Sequence, residues 1–238
     1  MRRLPVVVWL ALGAMGVVSP VIAQEGAPQA IEATSTERVK FPAGGTIRVE
    51  GSYGYLSVDG WDEPQVEITI TKTTDRFFKP GEEEDAKRRL TRIQVVTERR
   101  SETELSIQTT RPSRRGRWLL PVLPKSKAGV TVEYQIHMPR TAHLIVRNDT
   151  GYLWISDIAG PIDARSHTGD MIVMLPSAGS SAIDAKSRVG GISSDFAGHA
   201  GSPLVVGRSF VHSGGNSSQR IYLRMGRGNI TIKQIPPP

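Results

Sequence analysis

Residues 148–176 read NDTGYLWISDIAGPIDARSHTGDMIVMLP and contain the pair Thr-Gly twice, each time followed by a run in which every second residue is apolar. Alternation of apolar and polar residues predicts short β-strands. A glycine at the corner supplies a backbone with positive φ, which other residues rarely adopt. The stretch therefore predicts two copies of one unit, made of a strand, a glycine corner and a second strand.

The same unit recurs in IRVEGSYGYLSVDGW (47–61), IDAKSRVGGISSDF (183–196) and YLRMGRGNITIKQI (222–235). The predicted corner glycines are Gly54, Gly151, Gly169, Gly190 and Gly228. A repeat near 20 residues is typical of a β-solenoid, in which equivalent strands stack in parallel. The near-identical IDARS and IDAKS then predict equivalent positions on successive coils. A meander of hairpins is the competing interpretation, but it does not require that identity.

The N-terminal sequence is typical of an exported protein. A short basic start, an apolar run and a small-residue cleavage site predict a signal peptide over residues 1–23. Residues 24–38 are polar and aperiodic and predict a flexible linker. We expect one β domain over residues 39–238, with an insertion at about 75–127 that carries a short helix over 81–93 and a β-hairpin. No later apolar segment is long enough to span a bilayer, so we expect a periplasmic or extracellular, cell-surface location.

Composition excludes several kinds of chemistry. The chain has no cysteine, which excludes disulfides, thiol catalysis and thiolate metal sites. The histidines lack the spacing of a helical zinc pair, and Ser166, His167 and Asp170 are too close in sequence to form a catalytic triad. We find no cofactor motif and expect no metal and no cofactor. The sequence therefore predicts a non-enzymatic protein.

Two other functions remain open at this stage. Asp163 and Asp184 occupy equivalent repeat positions, and stacking would bring them close enough to raise the pKa of one of them. Such a pair would suit an enzyme that processes an envelope polysaccharide. The second alternative is a sensor domain of an envelope regulatory system.

Four stretches together resemble the bacterial putative-adhesin domains of unknown function. They are FPAGGTIRVEGSYGYLSVDGW, VTVEYQIHMPR, VRNDTGYLWISDI and RMGRGNITIKQI, and the resemblance runs from about residue 39 to residue 235. It implies a right-handed, largely single-stranded β-helix and an adhesin-like binding or structural role at the cell envelope. The basic, tryptophan-bearing segment 111–127 departs from the plainest members of that family.

That segment, RPSRRGRWLLPVLPKSK, can be interpreted either as a contact with a partner or as a cover for the open end of the solenoid. Cations beside an interfacial tryptophan suit an anionic lipid, lipopolysaccharide, polysaccharide or envelope protein. The candidate contact residues are Arg111, Arg114, Arg115, Arg117 and Trp118. The interpretation that we favour is that residues 118–123 cover the open end of the solenoid. Nucleic acid is not expected as a partner, because no base-stacking aromatics are interleaved with the basic residues. The oligomeric state is left open.

Overall fold

The computed structural model describes residues 30–75, 78, 81–110, 129–176, 181–202, 207–214 and 219–235. These residues form fifteen strands and one short helix, α1 (Glu83–Leu90). The strands are β1 (Glu32–Lys40), β2 (Thr46–Trp61), β3 (Gln65–Thr74), β4 (Gln94–Ser101), β5 (Glu104–Thr110), β6 (Val130–Pro139), β7 (His143–Ser156), β8 (Ile162–Thr168), β9 (Met171–Pro176), β10 (Ser181–Val189), β11 (Ile192–Ser194), β12 (His199–Gly201), β13 (Arg208–His212), β14 (Gln219–Arg227) and β15 (Ile230–Ile235). The all-β class is therefore confirmed.

The strands of the repeated units stack in two parallel rows. The first row runs from the N-terminal half of β2 through that of β7 to β8, β14 and β10. The second row runs from the C-terminal halves of β2 and β7 to β9, β15 and β11. The strands β2 and β7 are long enough to belong to both rows, so they hold the rows together.

Both rows bury every second side chain in one core. In the second row Leu153, Met171 and Ile230 face one another across adjacent strands, and each is at most 1% exposed. Burial of one such aliphatic side chain contributes about 1.5 to 3 kcal/mol. The alternate residues point away from the core. On the outer face, the side chains of neighbouring strands are therefore aligned in the same way as the buried side chains.

The five corner glycines form one column, which we call the glycine column, in the order Gly54, Gly151, Gly169, Gly228 and Gly190. Their φ angles lie between 97° and 140°. A Cβ atom on Gly169 would lie 1.9 Å from the carbonyl oxygen of Gly151, and one on Gly228 would lie 1.5 Å from that of Gly169. The backbones at the corner are therefore packed too closely for any side chain.

The column order corrects the predicted stacking of successive coils. The strand β14 lies between β8 and β10, so Ile162 pairs with Ile221, and Ile221 pairs with Ile183. IDARS and IDAKS are thus separated by the last repeated unit. In this order β14 has a parallel neighbour on each side, while β13 covers the other edge of β10 in antiparallel pairing. The order of the described strands ends in β1 and β12 without closing, and a β-helix is not confirmed.

The predicted insertion contains the expected helix and hairpin. Helix α1 has three acidic residues in its first turn and three basic residues in its last, an arrangement that matches the helix dipole. It buries Ala86 and Leu90. The strands β4 and β5 pair in antiparallel orientation. The helix and the hairpin are therefore confirmed.

The flexible linker predicted over residues 24–38 is wrong for residues 32–38. These residues lie in β1, an edge strand that pairs with β3. The hydroxyl groups of Thr34 and Thr71 lie 3.1 Å apart, and those of Thr36 and Thr69 lie 2.9 Å apart. The strand is held by backbone pairing and threonine contacts. Only Val39 at its end packs partly against the core, so the strand lacks the apolar alternation that predicts a strand.

The glycine column predicts a large effect of Gly169→Ala. We expect the free energy of unfolding to fall by about 3 kcal/mol or more, because the new methyl group would meet the Gly151 carbonyl oxygen. Gly44→Ala is the control, since Gly44 also has positive φ (80°) but no atom within 4 Å of the place that a methyl group would occupy. It should cost about 1 to 2 kcal/mol from backbone strain alone. Equal losses in urea unfolding would contradict close packing as the cause.

Candidate functional site

An open groove of about 700 Å³ crosses the outer face of the first row, over β7, β8, β14, β10 and β13. Six basic residues line it. We call it the basic groove, and its basic residues are Arg147, Arg165, Arg224, Lys186, Arg188 and Arg208.

Strand register brings four of these cations into one line. Arg147 pairs with Arg165, Arg165 with Arg224, and Arg224 with Lys186, on four adjacent parallel strands. Their chain neighbours Val146, Ala164, Leu223 and Ala185 are all buried, so the alternation turns the basic side chains outward. Adjacent strands lie about 4.8 Å apart, and the line therefore presents one cation at about that interval.

Two of the arginines hold Asp163. The Arg147 Nη2 and Nη1 groups donate to the two carboxylate oxygens of Asp163, at 2.8 and 3.2 Å, and Arg165 Nε donates to the same carboxylate at 3.3 Å. Burial opposes ionisation of Asp163, but the hydrogen bonds and charges of Arg147 and Arg165 outweigh it and lower the pKa of that carboxyl. Asp163 therefore stays ionised and keeps both guanidinium groups in place.

A second cluster fixes Arg224. Its Nη2 group donates to Asp184 Oδ2 and its Nη1 group to the Asp184 carbonyl oxygen, both at 2.7 Å. The guanidinium carbon lies 3.4 Å from the centroid of the Tyr222 ring, and that of Arg165 lies 5.3 Å from it. Such cation–π contacts favour a fixed position of the guanidinium over the ring.

The stacked pair of aspartates predicted for an enzyme is wrong. Tyr222 lies in register between Asp163 and Asp184, so two strand spacings, roughly 9 to 10 Å, separate their backbones. The two carboxylates are also bound to different arginines. The pKa of Asp163 is lowered and not raised. The pair therefore lacks the geometry of a shared acid site, and the lowered pKa of Asp163 is the opposite of what such a site requires.

Lys186 and Arg188 differ from the arginines at the other end of the groove. Both side chains are exposed, and neither forms an ion pair in the part of the chain that the structure describes. Arg208 on β13 lies opposite Ser187 of β10 and donates a hydrogen bond to Ser202 Oγ. The β10 and β13 end of the groove thus carries positive charge that no carboxylate among the described residues neutralises.

The predicted contact residues Arg111, Arg114, Arg115, Arg117 and Trp118 lie outside the described residues. The five predicted corner glycines come together in the glycine column.

Sequence analysis missed the basic groove, although the signal was available in the repeated units. Four of the five units carry a basic residue at one shared outward position, occupied by Arg147, Arg165, Lys186 and Arg224, whereas the first unit carries Glu50 there.

Two further observations concern the described ranges. They contain no group of three or more His, Asp or Glu side chains that could hold a metal ion. In the same ranges no helix has the length and apolar character needed to cross a membrane.

No family model matches the chain, and no curated protein is similar enough to count as a match. Similar solved structures include a putative cell adhesion protein from Clostridium sporogenes, 12% identical, with a TM-score of 0.47, covering 87% of this chain and 100% of that one. A putative adhesin from Bacteroides fragilis is 14% identical, with a TM-score of 0.25, over 85% of this chain and 97% of that one. A putative adhesin from Parabacteroides merdae is 8% identical, with a TM-score of 0.25, over 85% and 79% of the two chains. Their descriptions name the kind of protein that the sequence resembles.

The arginine contacts of Asp163 predict a pH-dependent contribution to stability. Because the folded pKa of Asp163 is lowered, its contribution is complete above the unfolded value of about 4 and is lost as the pH falls through the folded pKa. Asp163→Asn should lower the free energy of unfolding by about 1 kcal/mol at pH 7, allowing for solvent screening. The difference from wild type should shrink steadily below pH 4.

Urea unfolding between pH 2.5 and pH 8 measures this difference. Glu98→Gln is the control, because Glu98 is an exposed carboxylate on β4 for which the described residues provide no ion pair. A loss for Asp163→Asn that is the same at both ends of the pH range would contradict the role of the ionised carboxylate.

Proposed function

We propose that the protein is exported to the cell envelope and that its basic groove binds an acidic polymer there, without catalysis. One observation carries this proposal: four cationic side chains stand in register on four adjacent strands, in a groove where Lys186 and Arg188 form no ion pair with any described residue. Six cations of the groove face three carboxylates, Asp149, Asp163 and Asp184. An anionic ligand would supply the missing negative charge.

The spacing of the cations favours a polymer as the ligand. A chain of acidic units that crosses the strands would meet one cation at each strand, at intervals of about 4.8 Å. A bilayer is flat and contacts protruding side chains first, whereas here the cations line a concave surface. Since Asp163 and Asp184 already orient three of the arginines, a ligand would not have to order those side chains.

The export step and the architecture are part of the same proposal. The predicted signal peptide supports export, and an acidic polymer of the envelope is then the available ligand. We infer that the two parallel rows act as an unclosed β-helix. Its long, regular outer face would suit an extended ligand and an adhesin-like role.

Lys186 and Arg188 provide the sharpest test of the groove. We expect the double variant Lys186→Ser, Arg188→Ser to weaken binding of polygalacturonate about tenfold at low ionic strength, because both cations are unpaired among the described residues. Wild-type binding of polygalacturonate should also weaken as the salt concentration rises from 20 to about 300 mM, because salt screens the attraction between the opposite charges. Isothermal titration of the mature chain measures both effects.

The matched control is Arg88→Ser, Arg92→Ser, which removes the same net charge at and just beyond the end of helix α1. It should bind polygalacturonate nearly as well as wild type. Equal weakening by both double variants would show that binding follows net charge alone, and would overturn the groove as the site. Stronger binding to phosphatidylglycerol vesicles than to the polymer would assign the groove to a lipid surface.

We also propose that Arg111, Arg114, Arg115, Arg117 and Trp118 form a second contact with the same anionic material. Four arginines near an anionic surface would contribute about 4 kcal/mol, roughly 1 kcal/mol for each. Replacing the four arginines by serine should therefore reduce co-sedimentation with isolated envelopes at low salt. Unchanged co-sedimentation, with a lower unfolding midpoint, would leave the segment with the structural role of an end cover.

A further inference from the structure

Three aromatic side chains share the outer face of the second row, away from the basic groove. Tyr55 and Tyr152 are direct partners on β2 and β7, and they are 37% and 61% exposed. Trp154 follows on the same face of β7, opposite Ser57, and is partly exposed. We call these three residues the aromatic strip. Its rings lie on a rigid parallel sheet and need no loop to hold them.

The polar groups of the aromatic strip are unused. In the described structure neither tyrosine hydroxyl donates or accepts a hydrogen bond, and the Trp154 indole N–H has no acceptor. Trp61 shows the contrast: its indole N–H donates to the Gln65 carbonyl oxygen at 2.9 Å, and its ring stacks on His137 with centroids 5.3 Å apart. The ring and the N–H group of Trp61 are thus both in contact with neighbouring residues, whereas Trp154 presents its ring and its indole N–H donor to the solvent.

The surroundings of the aromatic strip differ in charge from the basic groove. Glu133 pairs with Tyr55, and Asp59 accepts a hydrogen bond from Ser57 at 2.8 Å. Asp170, just before Met171, accepts hydrogen bonds from the backbone and side chain of Asn229. Three carboxylates around the rings disfavour an anion. The remaining neighbours in the Trp154 row are uncharged: Gln135, Ser57, Ile172, Thr231 and Ser193.

The exposed area is too small for a second protein chain. A tyrosine or tryptophan buries roughly 150 to 250 Å² when fully covered. Three rings that are already partly covered can therefore offer at most a few hundred Å², whereas a stable protein interface needs about 800 Å² on each partner. A ligand of the width of one sugar chain fits this area.

We propose that the aromatic strip binds an uncharged saccharide chain. The flat C–H faces of pyranose rings would stack on Tyr55, Tyr152 and Trp154, and the tyrosine hydroxyls and the indole N–H would bond the sugar hydroxyls. In the row of Trp154, Gln135, Thr231 and Ser193 add amide and hydroxyl groups on neighbouring strands, and Ile172 lies between Trp154 and Thr231. This site is independent of the basic groove and goes beyond the proposed function.

The test is isothermal titration of the mature chain with three uncharged probes: cellohexaose, chitohexaose and dextran. We expect binding of at least one probe that is nearly unchanged between 20 mM and 1 M NaCl, unlike binding in the basic groove. Tyr152→Ala and Trp154→Ala should each weaken it about tenfold or more, as loss of an aromatic contact residue does. Tyr152→Phe keeps the ring and should weaken it only about two- to fivefold.

Two controls separate this site from other effects. Val211→Ala removes an apolar side chain on β13 whose exposure, 44%, lies between those of Tyr55 and Tyr152, and it should not change saccharide affinity. Lys186→Ser, Arg188→Ser should also leave it unchanged, so failure of one site does not imply failure of the other. Tyr152 is mostly exposed, and its substitution keeps the test valid even if Trp154→Ala lowers stability.

Absence of binding to all three probes would overturn the proposal. Binding that survives Tyr152→Ala and Trp154→Ala would also overturn it, because the saccharide would then lie elsewhere. Self-association in sedimentation velocity that Tyr152→Ala abolishes, without saccharide binding, would assign the strip to a second copy of the chain.

Discussion

The close contact between corner glycines is the constraint on which the rest of the structure depends. Each glycine of the column packs its Cα against the backbone of the next strand, and a methyl group has no room there. Because all five residues meet at one line, the strands on either side align there, and the β2–β7 pairing returns to the same register at Gly54 and Gly151 after a local irregularity between Glu50 and Tyr53. The positions two, four and six residues before the corner therefore coincide from strand to strand. A single slip would turn the buried residues outward and the cations inward.

The same register explains why the outer face can hold so much positive charge. Arg147, Arg165 and Arg224 stand on neighbouring strands, where like charges would repel one another. The row two residues earlier supplies the compensation, since it carries Asp163 and Asp184 at the matching positions. Tyr222 lies between these carboxylates, and its ring lies under the Arg224 guanidinium. The three arginines are thereby held apart and oriented, while Lys186 forms no ion pair among the described residues.

Local patterns were enough to predict the strand content, the helix, the hairpin and the corner glycines. Apolar alternation and glycine conformation are properties of a few adjacent residues, so they can be read from one sequence. The order of the strands could not be derived in this way, because the β8, β14 and β10 units have nearly equivalent core residues and any order buries them. The strand β1 was missed since an exposed edge strand needs no apolar face. The basic groove could not be predicted in this way either, because its cations are single basic residues far apart in the sequence, and only the strand register brings them together.

The two outer faces meet along the glycine column, and their chemistry is opposite. Before the corner, the outward arginines of β7, β8 and β14 are held by carboxylates. After it, the outward side chains of β2 and β7 include Tyr55, Tyr152 and Trp154, whose hydroxyls and indole N–H have no hydrogen-bond partner among the described residues. Because long strands such as β7 run through the corner, Arg147 and Tyr152 belong to one rigid element only five residues apart. A ligand that carried both acidic groups and uncharged sugar rings could contact both faces without any movement of the protein. Two weak contacts on such a fixed scaffold reinforce each other, since the second forms at the high local concentration that the first creates. An acidic heteropolysaccharide has this composition, and the arrangement of the two faces would select it over a simple polyanion or a neutral glycan alone.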